Sequence, residues 1–226
     1  MVFQFKSTSV EKDHIGIAFC DSKSRLLGFA KKLDQLSKKH ISSQLKSDLS
    51  FQKRTSKQFD YCVIHSPNNL KITKLYIFKL KDYASFSIRD FQILGGHLRS
   101  LITFYQEDKV GIYPDGVISK KVSFINGVSE MLIGFLLASY KFKKYKKIND
   151  KNGKNKKPSR IKIYSSSYTR LEKNYINVEA VAEGTTLTRN LVTEPPNVMT
   201  PPEIAKNAES LEKIGIKVTV LGEKEM

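Results

Sequence analysis

The amino-acid sequence predicts a mixed α/β protein, a sheet flanked by helices, and three observations carry that prediction. Short apolar runs with strand spacing alternate along the chain with longer segments of helical spacing, the pattern of a sheet covered by helices. The 226 residues are 40% hydrophobic and 27% charged, which suits a soluble chain with a full core. The charge changes abruptly: residues 1–160 carry 31 Lys and Arg against 13 Asp and Glu, whereas residues 161–226 carry 8 against 9. Such a step often marks a change of domain, and the length corresponds to roughly one and a half domains.

Each element has its own signal. Val2–Lys6 alternates apolar and polar residues, and His14–Cys20 is a second strand candidate. Residues 25–37 place Leu26, Leu27, Phe29, Ala30, Leu33 and Leu36 at helical spacing, and Ile41–Leu49 continues as a second short helix. Tyr61–His65 and Ile72–Leu80 are strands separated by a Ser-Pro-Asn-Asn turn. Residues 86–105 form an amphipathic helix through Phe91, Leu94, Leu98, Leu101, Ile102 and Tyr105. Its Gly95–Gly96 pair costs about 1 kcal/mol per glycine relative to Ala, a cost usually explained by close approach of a neighbouring backbone. Val110–Tyr113 is a short strand, and residues 122–140 form a second amphipathic helix.

A lysine-rich stretch follows. Residues 141–160 hold nine Lys and one Arg against the single acid Asp150. Its second half carries Gly153 and Pro158 and almost no apolar residues, so it reads as an exposed loop or linker. Ile161–Tyr164 is then a strand, and a long helix covers about residues 172–192. Pro195 and Pro196 keep the next segment non-helical. Thr200-Pro-Pro-Glu203 is a helix start, with Thr200 as cap, Pro201 in the first turn and Glu203 placed for a capping box. That helix ends at Gly215, Ile216–Leu221 is a strand, and residues 223–226 begin a further helix.

Several function classes are excluded at this stage. Cys20 and Cys62 are the only cysteines, too few for a disulfide framework or a cysteine-based zinc module. Both lie among apolar strand residues and read as buried, inert thiols. No apolar run approaches the roughly 18–20 residues that span a bilayer, and the N-terminus lacks the layout of a signal peptide, so the expected compartment is the cytoplasm. The four histidines, His14, His40, His65 and His97, are separated in sequence and read as structural or surface residues. Gly95-Gly96-His97 lacks the fuller spacing of a phosphate-cradling glycine loop.

Residues 180–226 carry a specific resemblance. Ala180-Val-Ala-Glu-Gly184, Thr188-Arg-Asn-Leu-Val-Thr-Glu-Pro-Pro-Asn197, Thr200-Pro-Pro-Glu203 and Val218-Thr-Val-Leu-Gly-Glu-Lys-Glu-Met226 resemble the leucyl (cytosol) aminopeptidase family in order, spacing and residue type. Ser24–Leu45 and Leu49 resemble the same family's first helices more loosely. The resemblance implies a macro-domain-like mixed sheet, followed by a helical linker and an incomplete start of an α/β catalytic domain. The corresponding division is an N-terminal α/β domain at 1–145, a basic loop or linker at 146–160, and an interdomain helix with the start of the catalytic domain at 161–226. The resemblance further implies a metallo-exopeptidase that releases N-terminal amino acids from peptides in intracellular protein turnover. Its two divalent ions, manganese or zinc, activate a water and polarise the peptide carbonyl.

The family's metal ligands and catalytic residues match no position in this chain. The expectation is therefore that the chain binds no metal, has no catalytic residue of its own, and acts on peptides only if a catalytic part is supplied. Homo-oligomer formation is the family's habit, and no membrane is expected as a partner. The alternative is a basic nucleic-acid-binding module, since some bacterial relatives bind DNA. Its candidate residues are Lys141, Lys143, Lys144, Lys146, Lys147, Lys156 and Lys157, with Phe142 and Tyr145 interleaved. A solvated loop explains the same lysines without function.

Overall fold

The computed structural model describes residues 3–10, 14–48, 51, 59–105, 109–145 and 160–225. Six strands are present among them: β1 (Phe3–Lys6), β2 (His14–Asp21), β3 (Phe59–His65), β4 (Ile72–Leu80), β5 (Lys109–Ile112) and β6 (Arg160–Tyr164). The helices are α1 (Phe29–Leu36), α2 (His40–Ser47), α3 (Ile88–Phe104), α4 (Phe124–Ala138), α5 (Tyr168–Thr193) and α6 (Pro201–Glu209). Two short 3₁₀ turns lie at Tyr83–Ser85 and Ser210–Ile214.

The strands form one sheet in the order β1–β6–β5–β2–β4–β3. Every neighbouring pair is parallel except β3 with β4, which runs antiparallel. The fold class read from the sequence is the one observed. A largely parallel sheet must be covered on both faces, and two separate cores show how. Ile15, Ile17 and Phe19 of β2 point into a core closed by α3, α4 and α5. Ala18 and Cys20 point the other way, into a core closed by α1 and α2 through Ala30, Leu33, Ile41 and Leu45.

Backbone contact between α3 and α4 sets the spacing of the first helical layer. A Cβ on Gly95 would lie 1.8 Å from the Met131 carbonyl oxygen, and one on Gly134 would lie 2.0 Å from that of Gln92. Gly96 differs, because its Cβ would meet only the Ala138 methyl at 3.9 Å, an ordinary contact. The glycine pair thus contains one packing residue and one bystander. The start of α3 is capped by Ser87 and Asp90 reciprocally: the Ser87 N–H donates to Asp90 Oδ2 at 2.8 Å, and the Asp90 N–H donates to Ser87 Oγ at 3.4 Å.

The loop after β2 is built by one carboxylate. Asp21 Oδ1 accepts the backbone N–H of Lys23 at 2.9 Å and of Arg25 at 2.8 Å, while Oδ2 accepts Arg25 Nε at 2.6 Å. Burial pushes this carboxyl up, but hydrogen bonds from the Arg25 backbone, the Arg25 side chain and the Lys23 backbone outweigh it and hold it below 3.8. The helix expected from residue 25 starts only at Phe29. Leu26 bridges back to Cys20, and Gly28 turns through a positive φ of 47° against the Asp115 backbone.

Four further expectations are corrected. The charge-based division at 146–160 does not divide the sheet, because β6 pairs with β1 on one side and β5 on the other. Charge records what water can reach and not which strands pair; residues 146–159 themselves lie outside the described residues. The long helix begins at Tyr168, one turn earlier than its periodicity suggested. Thr200 occupies the N-cap of α6 but makes no side-chain cap bond. The two prolines behind it carry no N–H to cap. Ile216–Leu221 is not a strand, since among the described residues no strand is paired with it and Ile216, Val220 and Leu221 stay about half exposed.

The two glycines of α3 should respond oppositely to alanine. Gly95→Ala is expected to lower unfolding stability by about 1–3 kcal/mol or more through backbone overlap. Gly96→Ala should raise it by about 0.5–1 kcal/mol through helix propensity. Urea unfolding followed by circular dichroism checks both; equal effects would show that the α3–α4 contact is not glycine-limited.

Candidate functional site

The most specific segment of the sequence, Thr188–Asn197, forms the end of α5 and the turn beyond it. The first half of α5 buries Leu171, Tyr175, Val178 and Ala182 at helical spacing against the sheet. After Ala182 no described residue is buried. The helix therefore leaves the core as a projecting arm, and its last turns meet the end of α4 and the segment that follows it.

Three residues of the arm clamp that segment. Arg189 Nη1 donates to the Leu137 carbonyl at 2.9 Å, and its guanidinium lies 5.5 Å from the Tyr140 ring centre. The Tyr140 hydroxyl donates to Asn190 Oδ1 at 3.0 Å. Lys144 Nζ donates to Glu194 Oε1 at 2.7 Å, and the Tyr145 hydroxyl donates to Glu194 Oε2. Residues 190 and 194, one helical turn apart, thus grip partners some 50 residues earlier in the chain.

Electrostatics follows the geometry. The Lys144 and Tyr145 hydrogen bonds hold Glu194 below its ordinary 4.5. The same contact with Glu194 raises both Lys144 and Tyr145. The carboxylate's contribution is therefore complete above about pH 4.5 and fades as pH falls through the depressed value. The ammonium's contribution is complete below its ordinary 10.5 and fades only as pH rises past the raised one.

Of the lysines read as a phosphate-binding face, Lys144 is neutralised locally by Glu194, whereas Lys141 and Lys143 are exposed. Phe142 and Tyr145 lie 5.9 Å apart, ring centre to ring centre. Lys146, Lys147, Lys156 and Lys157 fall outside the described residues.

Cys20 and Cys62 share the core under α1 and α2, while His40, His65 and His97 have separate surroundings. His40 accepts the Asn68 N–H at 3.2 Å, His65 is exposed, and His97 packs edge-on against Phe59 at 5.1 Å with its imidazole pushed down by burial. Cys20 and Cys62 are buried, and burial pushes the Cys20 thiol up to about 12 against the opposing pull of Lys79. Among the described residues no group of three or more His, Cys, Asp or Glu is placed to hold a metal ion. The donor set present does not fit a two-metal centre. No helix among them is long and apolar enough to cross a membrane.

Comparison with known proteins gives these observations a context. A probable cytosol aminopeptidase of Rhizobium leguminosarum is 32% identical over 164 residues, which is 72% of this chain and 32% of that protein. One from Brucella anthropi is 44% identical over 100 residues, 43% of this chain and 20% of that protein. In fold, a tomato leucine aminopeptidase variant superposes with a TM-score of 0.71 at 17% identity, covering 100% of this chain and 45% of that one. The chain is similar to the leucyl (cytosol) aminopeptidases. The partial coverage fits their N-terminal domain with the start of the catalytic domain, and the matches span 20% to 32% of these curated relatives. The bottromycin maturation enzyme BotP, solved in complex with Mn, also shares the fold with a TM-score of 0.58 at 12% identity, covering 88% of this chain and 36% of that one. No protein-family model matches the chain.

Within the aminopeptidase-like motif, Arg189, Asn190 and Glu194 act here as positioning residues. Their partners were not legible in the sequence, because nothing local links Glu194 to Lys144. Also unforeseen is a concave basic site between the β2 loop and α2, whose only sequence trace is the scatter of Lys23, Arg25, Lys31, Lys39 and Lys46.

Glu194→Ala should release the segment after α4. Amide hydrogen exchange by mass spectrometry is expected to accelerate over residues 139–145 and to stay unchanged in β2 and β4. Unchanged exchange in both regions would show that the clamp holds nothing.

Proposed function

We propose that the chain is the N-terminal portion of a leucyl aminopeptidase, a metallo-exopeptidase of intracellular protein turnover, and that this portion has no peptidase activity by itself. The observation that supports it most is the combined match: a curated aminopeptidase aligns over 72% of the chain, and an aminopeptidase fold covers all of it. Two carboxylates of the last third point the same way, since they serve structural ends. Glu194 closes the clamp, and Glu203 pairs with Lys206 at 3.8 Å within the first turns of α6. In this reading the projecting arm and the exposed apolar residues on and beyond it, Val192, Ile204 and Ile214 among them, form the seam to a catalytic part. That part would supply the two divalent ions and the peptide-binding residues, and the assembled enzyme would work in the cytosol as an oligomer.

Purified chain assayed on leucine p-nitroanilide with added manganese or zinc should release no product above a metal-free blank. Metal-dependent turnover that survives gel filtration with the chain would overturn the reading.

A second reading is favoured by a separate observation, the exposure of Lys141 and Lys143 beside paired aromatic rings. Here the segment from Lys141 through Lys157 binds nucleic acid through phosphates. Gel shifts with duplex DNA should then weaken steeply between about 50 and 200 mM salt, with little dependence on sequence. They should weaken further with Lys141→Gln and Lys143→Gln; no shift at low salt would end the reading.

A further inference from the structure

A basic concavity lies away from the clamp, on the face covered by α1 and α2. It has a volume of about 640 Å³, within the usual range of about 300–1,000 Å³ for small-ligand sites. Its walls are the loop after β2, one face of α1 through Lys31 and Asp34, and one face of α2 through Ser42 and Lys46. The loop opens from the carboxyl end of β2, a central parallel strand, and ligands of open α/β sheets gather at such ends.

The lining is strongly one-signed. Lys23, Arg25, Lys31, Lys39 and Lys46 face a single carboxylate, Asp34. That carboxylate is already used: its Oδ1 accepts the Ser42 N–H at 2.8 Å, while its main-chain carbonyl accepts the Lys39 N–H at 2.7 Å. Asp34 thus holds the corner between α1 and α2, and places Lys39 in the left-handed region at φ 61°. Asp21 does the same for the other wall, fixing Lys23 and Arg25 through the loop bonds described above. It engages Arg25 through Nε, which leaves the two terminal nitrogens for another acceptor. Among the described residues no carboxylate is bonded to Lys23, Lys31 or Lys39. The acids shape the concavity and the cations line it.

The hydroxyls of Ser22 and Ser24 join the lining, beside Ser42, whose hydroxyl donates to the Lys39 carbonyl at 3.2 Å. Leu26 and Gln35 also line it, and no aromatic ring takes part. Hydroxyl and ammonium donors suit phosphate oxygens. A singly charged anion would leave two of Lys23, Lys31 and Lys39 uncompensated, and without a ring there is no stacking platform for a base.

We propose that this concavity binds a small polyphosphate, recognised through two or more phosphate groups and not through a base. The ligand is an inorganic polyphosphate or the phosphate tail of a nucleotide. The inference is independent of the aminopeptidase reading.

Calorimetric titration of the full chain with tripolyphosphate and, separately, with ATP tests it. About 0.1 M salt shortens the Debye length to about 10 Å, so distant charges contribute little. Saturable binding of tripolyphosphate is expected, with ATP within about threefold, because only phosphates are read. The double variant Lys23→Gln with Lys39→Gln should bind at least about tenfold more weakly. Lys213→Gln with Lys217→Gln, which removes the same charge at exposed positions elsewhere, should bind within about twofold of wild type. Equal losses in the two variants, or no saturable binding at about 1 mM ligand, would overturn the proposal. ATP preferred by about tenfold or more would overturn recognition by phosphate alone.

Discussion

Burial of β2 on both faces is the constraint from which the other layers follow. Ile17, Ala18, Phe19 and Cys20 are all essentially inaccessible to water, and alternate residues belong to opposite cores. A strand with two apolar faces requires helices above and below it, and requires its backbone groups to be paired on both edges. Here β4 and β5 supply the edges, α3–α5 cover one face, and α1 and α2 cover the other. The close α3–α4 contact through Gly95 and Gly134 lets two helices share the width of that sheet.

The long helix α5 translates this core into an interface. Up to Ala182 it is a core element by burial, and beyond Ala182 it is an arm with no buried residue. Arg189, Asn190 and Glu194 fasten the arm to the segment after α4, so the direction in which α6 and the following residues project is tied to the sheet through two connections. In the aminopeptidase-like reading this tie orients whatever adjoins the arm.

Charge is partitioned in the same spirit. Asp21, Asp34 and Glu194 each accept hydrogen bonds that hold a loop, a corner or a strap. The sequence has 39 Lys and Arg against 22 Asp and Glu, so acids used in this way leave cations in excess. In the concavity lined by Lys23, Lys31 and Lys39 that excess is concentrated instead of spread.

The amino-acid sequence by itself determined most of the strands and helices, because periodicity records which side of an element must avoid water. It also carried the aminopeptidase-like motif at Thr188–Asn197, since helix end, diproline turn and residue order are all local. It could not determine partners. The strand order, the place of β6 between β1 and β5, the different roles of Gly95 and Gly96, and the bonding of Glu194 to Lys144 each join residues far apart in the chain. Ile216–Leu221 shows the same limit from the other side, for its composition suits a strand but a strand forms only where another supplies hydrogen bonds. Local pattern specifies what a segment can bury, and only the path of the whole chain decides what it is buried against.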